Sequence, residues 1–288
     1  YIFSELYEFW ISTQYFFIDM NTSFDIYELN NAVLDAAKTI KDMRNDFTVD
    51  SKDAVVDLVT NADLKSEEIL IEAITKYFPE DGIISEESDE VLSSNGRSWL
   101  IDPLDGTVNY ANNIPQVAIT LTLLVNKVPV QTYVYDIFQD DLYEGYADKG
   151  AYKNSEKLQV TKETSLQKAI IATGFPYDRL EFGEQYLQTF LSILKTTGGV
   201  RRFGSAALDV CWVADNKFDA YYEFFIKPWD TLGASLILKE AGGLVVDEHE
   251  AFPTLSSNLI IATNKSIHDD FKSLVLNNID SDLKERFS

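Results

Sequence analysis

The stretch Trp99-Leu100-Ile101-Asp102-Pro103-Leu104-Asp105-Gly106-Thr107-Val108-Asn109 decides how this chain is read. Trp99 to Ile101 has the character of a strand buried on both faces. Pro103 has no N–H to donate, so pairing is expected to stop there. Asp102 and Asp105 then project from the strand end, before Gly106 and Thr107 open the next segment. Two carboxylates so close repel each other unless a cation lies between them, and amides at a strand-to-helix junction can receive an anion. This stretch therefore predicts a hard metal ion beside a phosphate.

The rest of the composition fits that chemistry. The 288 residues allow one large domain or two small ones sharing an interface, and a hydrophobic content of 45% supports a full core. A net charge of -23, from 24 basic and 47 acidic residues, argues against nucleic acid or an anionic membrane as partner. An acidic chain with an anionic substrate needs cations in its site. Cys211 is the single cysteine, which excludes an internal disulfide and fits a reducing compartment. It lies on an apolar helical stretch, 206–214, and reads as a buried structural thiol. His249 and His268 stand among polar residues and read as exposed, so carboxylates must supply the chemistry. Residues 1–19 are dense in aromatics and lack both the positive start of a signal peptide and the length of a membrane span. They are set apart as an atypical extension, with a natural start expected at Met20 and a cytoplasmic protein beyond it.

Outward from Trp99, helical periodicity predicts helices over 27–43 and 64–78, the second stopped by Pro79, with a polar, mobile loop over 44–53 between them. Residues 54–60 have β character. Gly82 to Ser85 is a short strand that delivers Glu86, Glu87 and Ser88. Residues 116–125, 128–136 and 141–146 read as an antiparallel meander. The second half alternates strands (168–173, 199–203, 218–225, 244–247, 258–263) with helices (181–195, 205–214, 229–241, 266–276). Meander followed by alternation predicts an N-terminal α+β part over 20–160 with most metal ligands and a C-terminal α/β part over 161–288 with the substrate pocket and Asp230.

Strand and helix ends thus carry Asp57, Glu86, the Asp102/Asp105 pair and Asp230. Each alone has an ordinary explanation: a turn acid, a solvated loop, a helix N-cap. The pair does not have the alternating ligands of an EF-hand. In this order, however, residues 57–63, Glu86-Glu87-Ser88, 102–109 and 229–243 resemble the inositol monophosphatase family of metal-dependent, lithium-sensitive sugar phosphatases. The resemblance covers most of 24–276.

That resemblance implies an α+β fold, a layered αβαβα sandwich of the inositol monophosphatase and fructose-1,6-bisphosphatase type. It implies a Mg²⁺-dependent phosphomonoesterase acting on inositol monophosphate or a related small sugar or polyol phosphate, with two or three Mg²⁺ ions per site. Glu86, Asp102 and the Leu104 carbonyl would bind the first ion; Asp102, Asp105 and Asp230 the second; a third would sit near Glu86 and the 44–53 loop. Asp57 and Thr107 would orient and deprotonate the attacking water, and the Gly106 and Thr107 amides would hold the phosphate. Gly204, Ser205, Ala206 and Glu223 would line the substrate pocket, with Asp105 reaching a hydroxyl. Li⁺ inhibition and a homodimer are further implications.

Oxygen ligands suit Mg²⁺, and a metal pair can both activate water and stabilise phosphoryl charge, so physical expectation agrees. Arg201 and Arg202 could hold a second phosphate or pair with surface acids. Fructose 1,6-bisphosphatase, NADP(H) phosphatase or 3′-phosphoadenosine phosphatase activity are therefore alternatives, as is a metal-binding regulator without turnover. Ser85 stands where a glycine is common in the family, and Val108 where a threonine is frequent; neither replaces a ligand.

Overall fold

The computed structural model describes residues 29–51, 58–175, 179–279 and 287, without the side chains of 51 and 179–182. The expected N-terminal extension, Asp57 and most of the stretch 54–60 lie outside these residues. Two helices that pack together, α1 (Asn30–Met43) and α2 (Asn61–Tyr77), open the described chain, with the antiparallel pair of β1 (Val49–Ser51) and β2 (Leu58–Thr60) between them. A seven-stranded sheet follows in strict sequence order: β3 (Gly82–Ser85), β4 (Arg97–Asp105), β5 (Ala118–Val125), β6 (Val128–Asp136), β7 (Asp141–Tyr146), β8 (Gly150–Lys153) and β9 (Glu156–Lys157). The short helix α3 (Thr107–Ala111) leaves the end of β4. The meander thus runs two strands further than the sequence indicated.

The second half builds a five-stranded sheet of β10 (Ile170–Thr173), β11 (Gly199–Arg201), β12 (Ala220–Phe224), β13 (Leu244–Val246) and β14 (Leu259–Thr263), ordered β11-β10-β12-β14-β13. Its helices are α4 (Arg179–Thr196), α5 (Ala206–Ala214), α6 (Pro228–Glu240) and α7 (His268–Leu276).

Side-chain alternation along the strands explains the stacking. Trp99 and Ile101 of β4 join Leu121, Leu123 and Tyr133 in one core under α1 and α2. On the opposite face, Ala118, Val134 and Tyr143 pack with Ala207, Leu208, Val210 and Cys211 of α5, Ala234 and Ile237 of α6, and Tyr221 of the second sheet. Tyr222 and Phe224 point the other way, into a third core with Tyr186 and Ile193 of α4 and Phe271 of α7. Helices and sheets therefore alternate as helix, sheet, helix, sheet, helix, which is the expected α+β sandwich. Cys211 is buried as read. His268 is not exposed: it packs inward with Nδ1 2.8 Å from the Thr263 hydroxyl, and burial lowers its pKa. Among the described residues no helix is long and apolar enough to cross a membrane.

Candidate active site

Pro103 does not end β4 as its missing N–H suggested. Asp102 pairs with Thr120 and Asp105 with Ala118, so one extra residue of β4 is accommodated as a bulge around Pro103 and Leu104. The Leu104 N–H donates to Asp102 Oδ1 at 2.9 Å, which folds the bulge over the first carboxylate. Gly106 then takes φ 97°, where a Cβ would lie 2.7 Å from the Gln116 carbonyl, so this turn requires glycine.

Three separate elements converge on Asp102. Strand β3 runs parallel to β4 with Ser85 beside Ile101, and the Glu86 N–H continues the ladder to the Ile101 carbonyl at 3.3 Å. Glu86 and Asp102 consequently leave the same end of adjacent parallel strands. The Thr120 hydroxyl of β5 donates to the Trp229 carbonyl at 2.8 Å, and Leu232 packs on Leu100 and Leu124, which fixes the first turn of α6 over the strand end. Pro228 starts that helix, with Asp230 in its first turn. One carboxylate oxygen each of Glu86, Asp102 and Asp230 lies within 4.8 Å of the others. Burial and the mutual charges of Glu86, Asp105 and Asp230 hold the Asp102 carboxyl well above the usual range; Asp230 rises through burial and Glu86. Such a cluster of hard oxygen donors, destabilised by its own repulsion, fits a divalent cation.

Asp105, expected as a ligand of the second ion, does not join this group of three. Its Oδ2 accepts the Ser205 hydroxyl at 2.6 Å and the Ala207 N–H at 2.8 Å, and its Oδ1 the Ala206 N–H at 3.3 Å. The reason is helix α5: Ser205 caps it, and its first amides need acceptors. Burial raises the Asp105 pKa to about 6. The Leu104 carbonyl, also expected at the metal, accepts the Thr107 hydroxyl at 3.2 Å.

The Thr107 hydroxyl donates to Asp63 Oδ1 at 2.9 Å, in the first turn of α2, while Asp57, the partner expected for it, lies outside the described residues. Asp63 is 1% exposed. Its Oδ2 accepts the Thr60 N–H at 2.9 Å and the Thr60 hydroxyl, closing a capping box with Thr60. Burial raises its pKa to about 6, against the lowering effect of the Thr60 and Thr107 hydrogen bonds. The signal was present as Thr60-x-x-Asp63, read as a strand end rather than as the start of a helix.

The chain matches the model of the inositol monophosphatase family over residues 22–279. It belongs to that family. Inositol-1-monophosphatase of Synechocystis is 38% identical over 224 residues, 77% of this chain and 78% of that protein. The Aquifex aeolicus protein named fructose-1,6-bisphosphatase/inositol-1-monophosphatase is 39% identical over 213 residues, 74% of this chain and 80% of its own length. The solved inositol monophosphatase of Anabaena superposes with a TM-score of 0.80 at 34% identity, covering 90% of this chain and 97% of that one. This is a family of metal-dependent phosphatases, and the cluster of Glu86, Asp102 and Asp230 could hold a metal ion.

Glu223 of β12, expected in the substrate pocket, faces the α5 layer, buried at 7% exposure, and takes a hydrogen bond from the Tyr221 hydroxyl. Burial raises its pKa to about 7, with the charge of Arg202 acting in the opposite direction. Gly204 lies against Asn109, whose amide donates to the Gln116 carbonyl at 2.9 Å and to the Phe203 carbonyl at 2.6 Å. The two arginines separate: Arg202 lies 5.7 Å over the Phe175 ring with its charge felt by Glu223, whereas Arg201 donates to the Val200 carbonyl. Asp209 was passed over in the sequence as one more residue of an apolar helix. It is buried in α5, its Oδ1 has no hydrogen-bond partner among the described residues, and burial with the charges of Glu223 and Asp105 raises its pKa.

Proposed function

We propose that this family member is a Mg²⁺-dependent phosphomonoesterase that hydrolyses inositol monophosphate or a closely related small polyol phosphate by attack of water. The observation that carries the reading is the convergence of Glu86, Asp102 and Asp230 beside the Thr107–Asp63 hydrogen bond. Mg²⁺ held by these carboxylates would supply positive charge to the phosphoryl oxygens and acidify water. The protein's own residues do the rest. The Thr107 hydroxyl, whose shorter hydrogen bond is to Asp63 and whose longer one is to the Leu104 carbonyl, presents its lone pairs to a water and orients it. As the water yields a proton to Thr107 Oγ1, the Thr107 proton passes to Asp63 Oδ1. A pKa near 6 makes Asp63 a competent acceptor at neutral pH, and Thr60 keeps its carboxylate in place. The first turn of α3 offers the Gly106 and Thr107 amides to the phosphate.

Glu223 gives the pocket its preference. A carboxylate in this position accepts hydrogen bonds from hydroxyls and repels a second anion, which suits a polyol. Arg202 favours a second reading, a sugar bisphosphate such as fructose 1,6-bisphosphate, because its guanidinium is the cation whose field reaches Glu223. A phosphate-release assay over inositol, fructose, NADP and adenosine phosphates decides between them. We expect turnover that requires Mg²⁺, falls on addition of Li⁺, and is highest for the inositol monophosphates. No release from any substrate with Mg²⁺ present would refute the proposal; a preference for bisphosphates that disappears in Arg202→Ala would select the second reading.

A further inference from the structure

Helix α2 carries three buried polar side chains on one face, Asp63, Ser66 and Glu67, at the i, i+3 and i+4 spacing that brings helical neighbours together. Each reaches a different segment of the site. Asp63 takes the Thr107 hydroxyl, and Ser66 donates to the Pro103 carbonyl at 2.8 Å, the residue between Asp102 and Leu104. Glu67, 6% exposed, turns to the strand end that carries Glu86. Its Oε1 alone accepts the Ser85 hydroxyl, the Glu87 N–H at 3.3 Å and the Ser88 hydroxyl at 3.2 Å. These residues flank Glu86 on both sides, and none of the three contacts involves the Glu86 side chain.

A buried acid so close to an acid-rich cluster is an expensive way to fasten a loop, since a carboxylate taken from water must be compensated by donors. A neutral acceptor or an apolar contact would hold a loop with less repulsion. The placement is explained if the position of the loop matters to fractions of an ångström, because a cation with rigid octahedral demands binds only where its ligands are held.

We propose that Glu67 is a positioning residue for the cation: by gripping Ser85, Glu87 and Ser88 it sets where Glu86 presents its carboxylate to Asp102 and Asp230. The inference rests on the reading of Glu86, Asp102 and Asp230 as a divalent-cation site. It also gives Ser85 a role: its hydroxyl supplies one of the three donors, which a glycine there would lack.

The test is Mg²⁺ binding to the full chain without substrate, measured by titration calorimetry, beside the unfolding midpoint of the chelator-treated protein and kcat at saturating Mg²⁺. Glu67→Ala is expected to raise the Mg²⁺ dissociation constant about 10–100-fold, with kcat largely restored at high Mg²⁺. Glu67→Gln keeps an oxygen that can stand in the place of Oε1 and is expected to recover most of the affinity. Ser85→Gly and Ser88→Ala, which leave α2 untouched, are expected to weaken Mg²⁺ by a smaller factor and report even if Glu67→Ala does not fold. Glu86→Gln separates the two ideas. Unchanged Mg²⁺ affinity in Glu86→Gln overturns the cation site itself. Weakened affinity in Glu86→Gln, but wild-type affinity in the Glu67, Ser85 and Ser88 variants with only a lower unfolding midpoint, leaves the site standing and overturns the role of Glu67.

Discussion

Asp63→Asn tests the role proposed for the carboxylate that the structure brings to Thr107. The substitution keeps the size of the side chain and one acceptor oxygen, but removes the proton acceptor behind Thr107. Loss of a positioned general base lowers kcat by about 10²–10⁴-fold, or roughly 3–5 kcal/mol in the barrier. Stability moves the other way. Burial raises the Asp63 pKa from 3.8 to about 6, roughly two units at 1.36 kcal/mol each, so the ionised group costs about 3 kcal/mol at pH above 6. The sign follows from linkage: a raised carboxyl pKa gives stability that is fully present below 3.8 and lost as pH rises through about 6. Removing the charge recovers that loss, less about 1 kcal/mol for the weakened helix cap. At pH 8 in chelator, Asp63→Asn is thus expected to unfold at or above the wild-type midpoint while its kcat collapses. Steady-state phosphate release and thermal unfolding, with Asp57→Asn as the companion variant, make the measurement. If Asp57→Asn abolishes turnover and Asp63→Asn leaves kcat unchanged, the assignment of the base to Asp63 is wrong.

Two further outcomes can be measured directly. A Cβ on Gly174 would run into the Glu223 carboxylate, the far end of a side chain that can swing aside, so Gly174→Ala should fold yet displace the polyol acceptor. Loss of a hydrogen bond to a charged group is worth about 1.5–3 kcal/mol, so KM for the polyol phosphate should rise by roughly one to two orders of magnitude with little change in kcat; an unchanged KM excludes Glu223 from substrate contact. In chelator, the raised carboxyls Asp63, Asp102, Asp105 and Asp230 together predict an unfolding midpoint that falls as pH rises from 5 to 8. Mg²⁺ should therefore stabilise more at pH 8 than at pH 5, and a flat or rising chelator profile would contradict the repulsive cluster.

Most of the fold was legible because its strongest signals are local. The apolar run at Trp99 to Ile101 marked β4, the meander pattern marked β5, β6 and β7, and the helix stripes marked α1 and α2. What local patterning missed has a physical reason in each case. Pro103 removes a ladder donor, but a bulge absorbs that loss, and the bulge depends on Thr120 and Ala118 across the sheet rather than on neighbours in sequence. His268 has polar neighbours along the chain yet packs inward, where Thr263 supplies its partner. Asp63 closes the run that begins at Asp57, and picking it out as a partner of Thr107 required seeing that Thr60 begins a helix. The Thr60-x-x-Asp63 spacing held that information, and β character upstream outweighed it. Glu67 carried no comparable signal: a Glu on an amphipathic helix reads as solvated until the helix is seen to turn that face to Ser85 and Ser88.

The site also shows why its two tasks are divided between different parts of the sandwich. Glu86 and Asp102 come from adjacent strands of the first sheet, and α2 lies against their ends with Asp63, Ser66 and Glu67. Asp230 comes from α6 and the cradle of Asp105 from α5, both in the helical layer between the sheets. Glu223 comes from the second sheet. The phosphate chemistry therefore depends on the registry of the first sheet with the middle layer, and a carboxylate moved there is felt by every other through mutual repulsion. The polyol contact proposed for Glu223 would depend on β12 and the Gly174 edge, which lie apart from the elements that carry Glu86, Asp102 and Asp230. Under the proposed function, a scaffold built this way can change whose phosphate it removes while holding the means of removal fixed: the residues around Asp102 would then set the reaction, and Glu223, Gly174 and Arg202 the substrate.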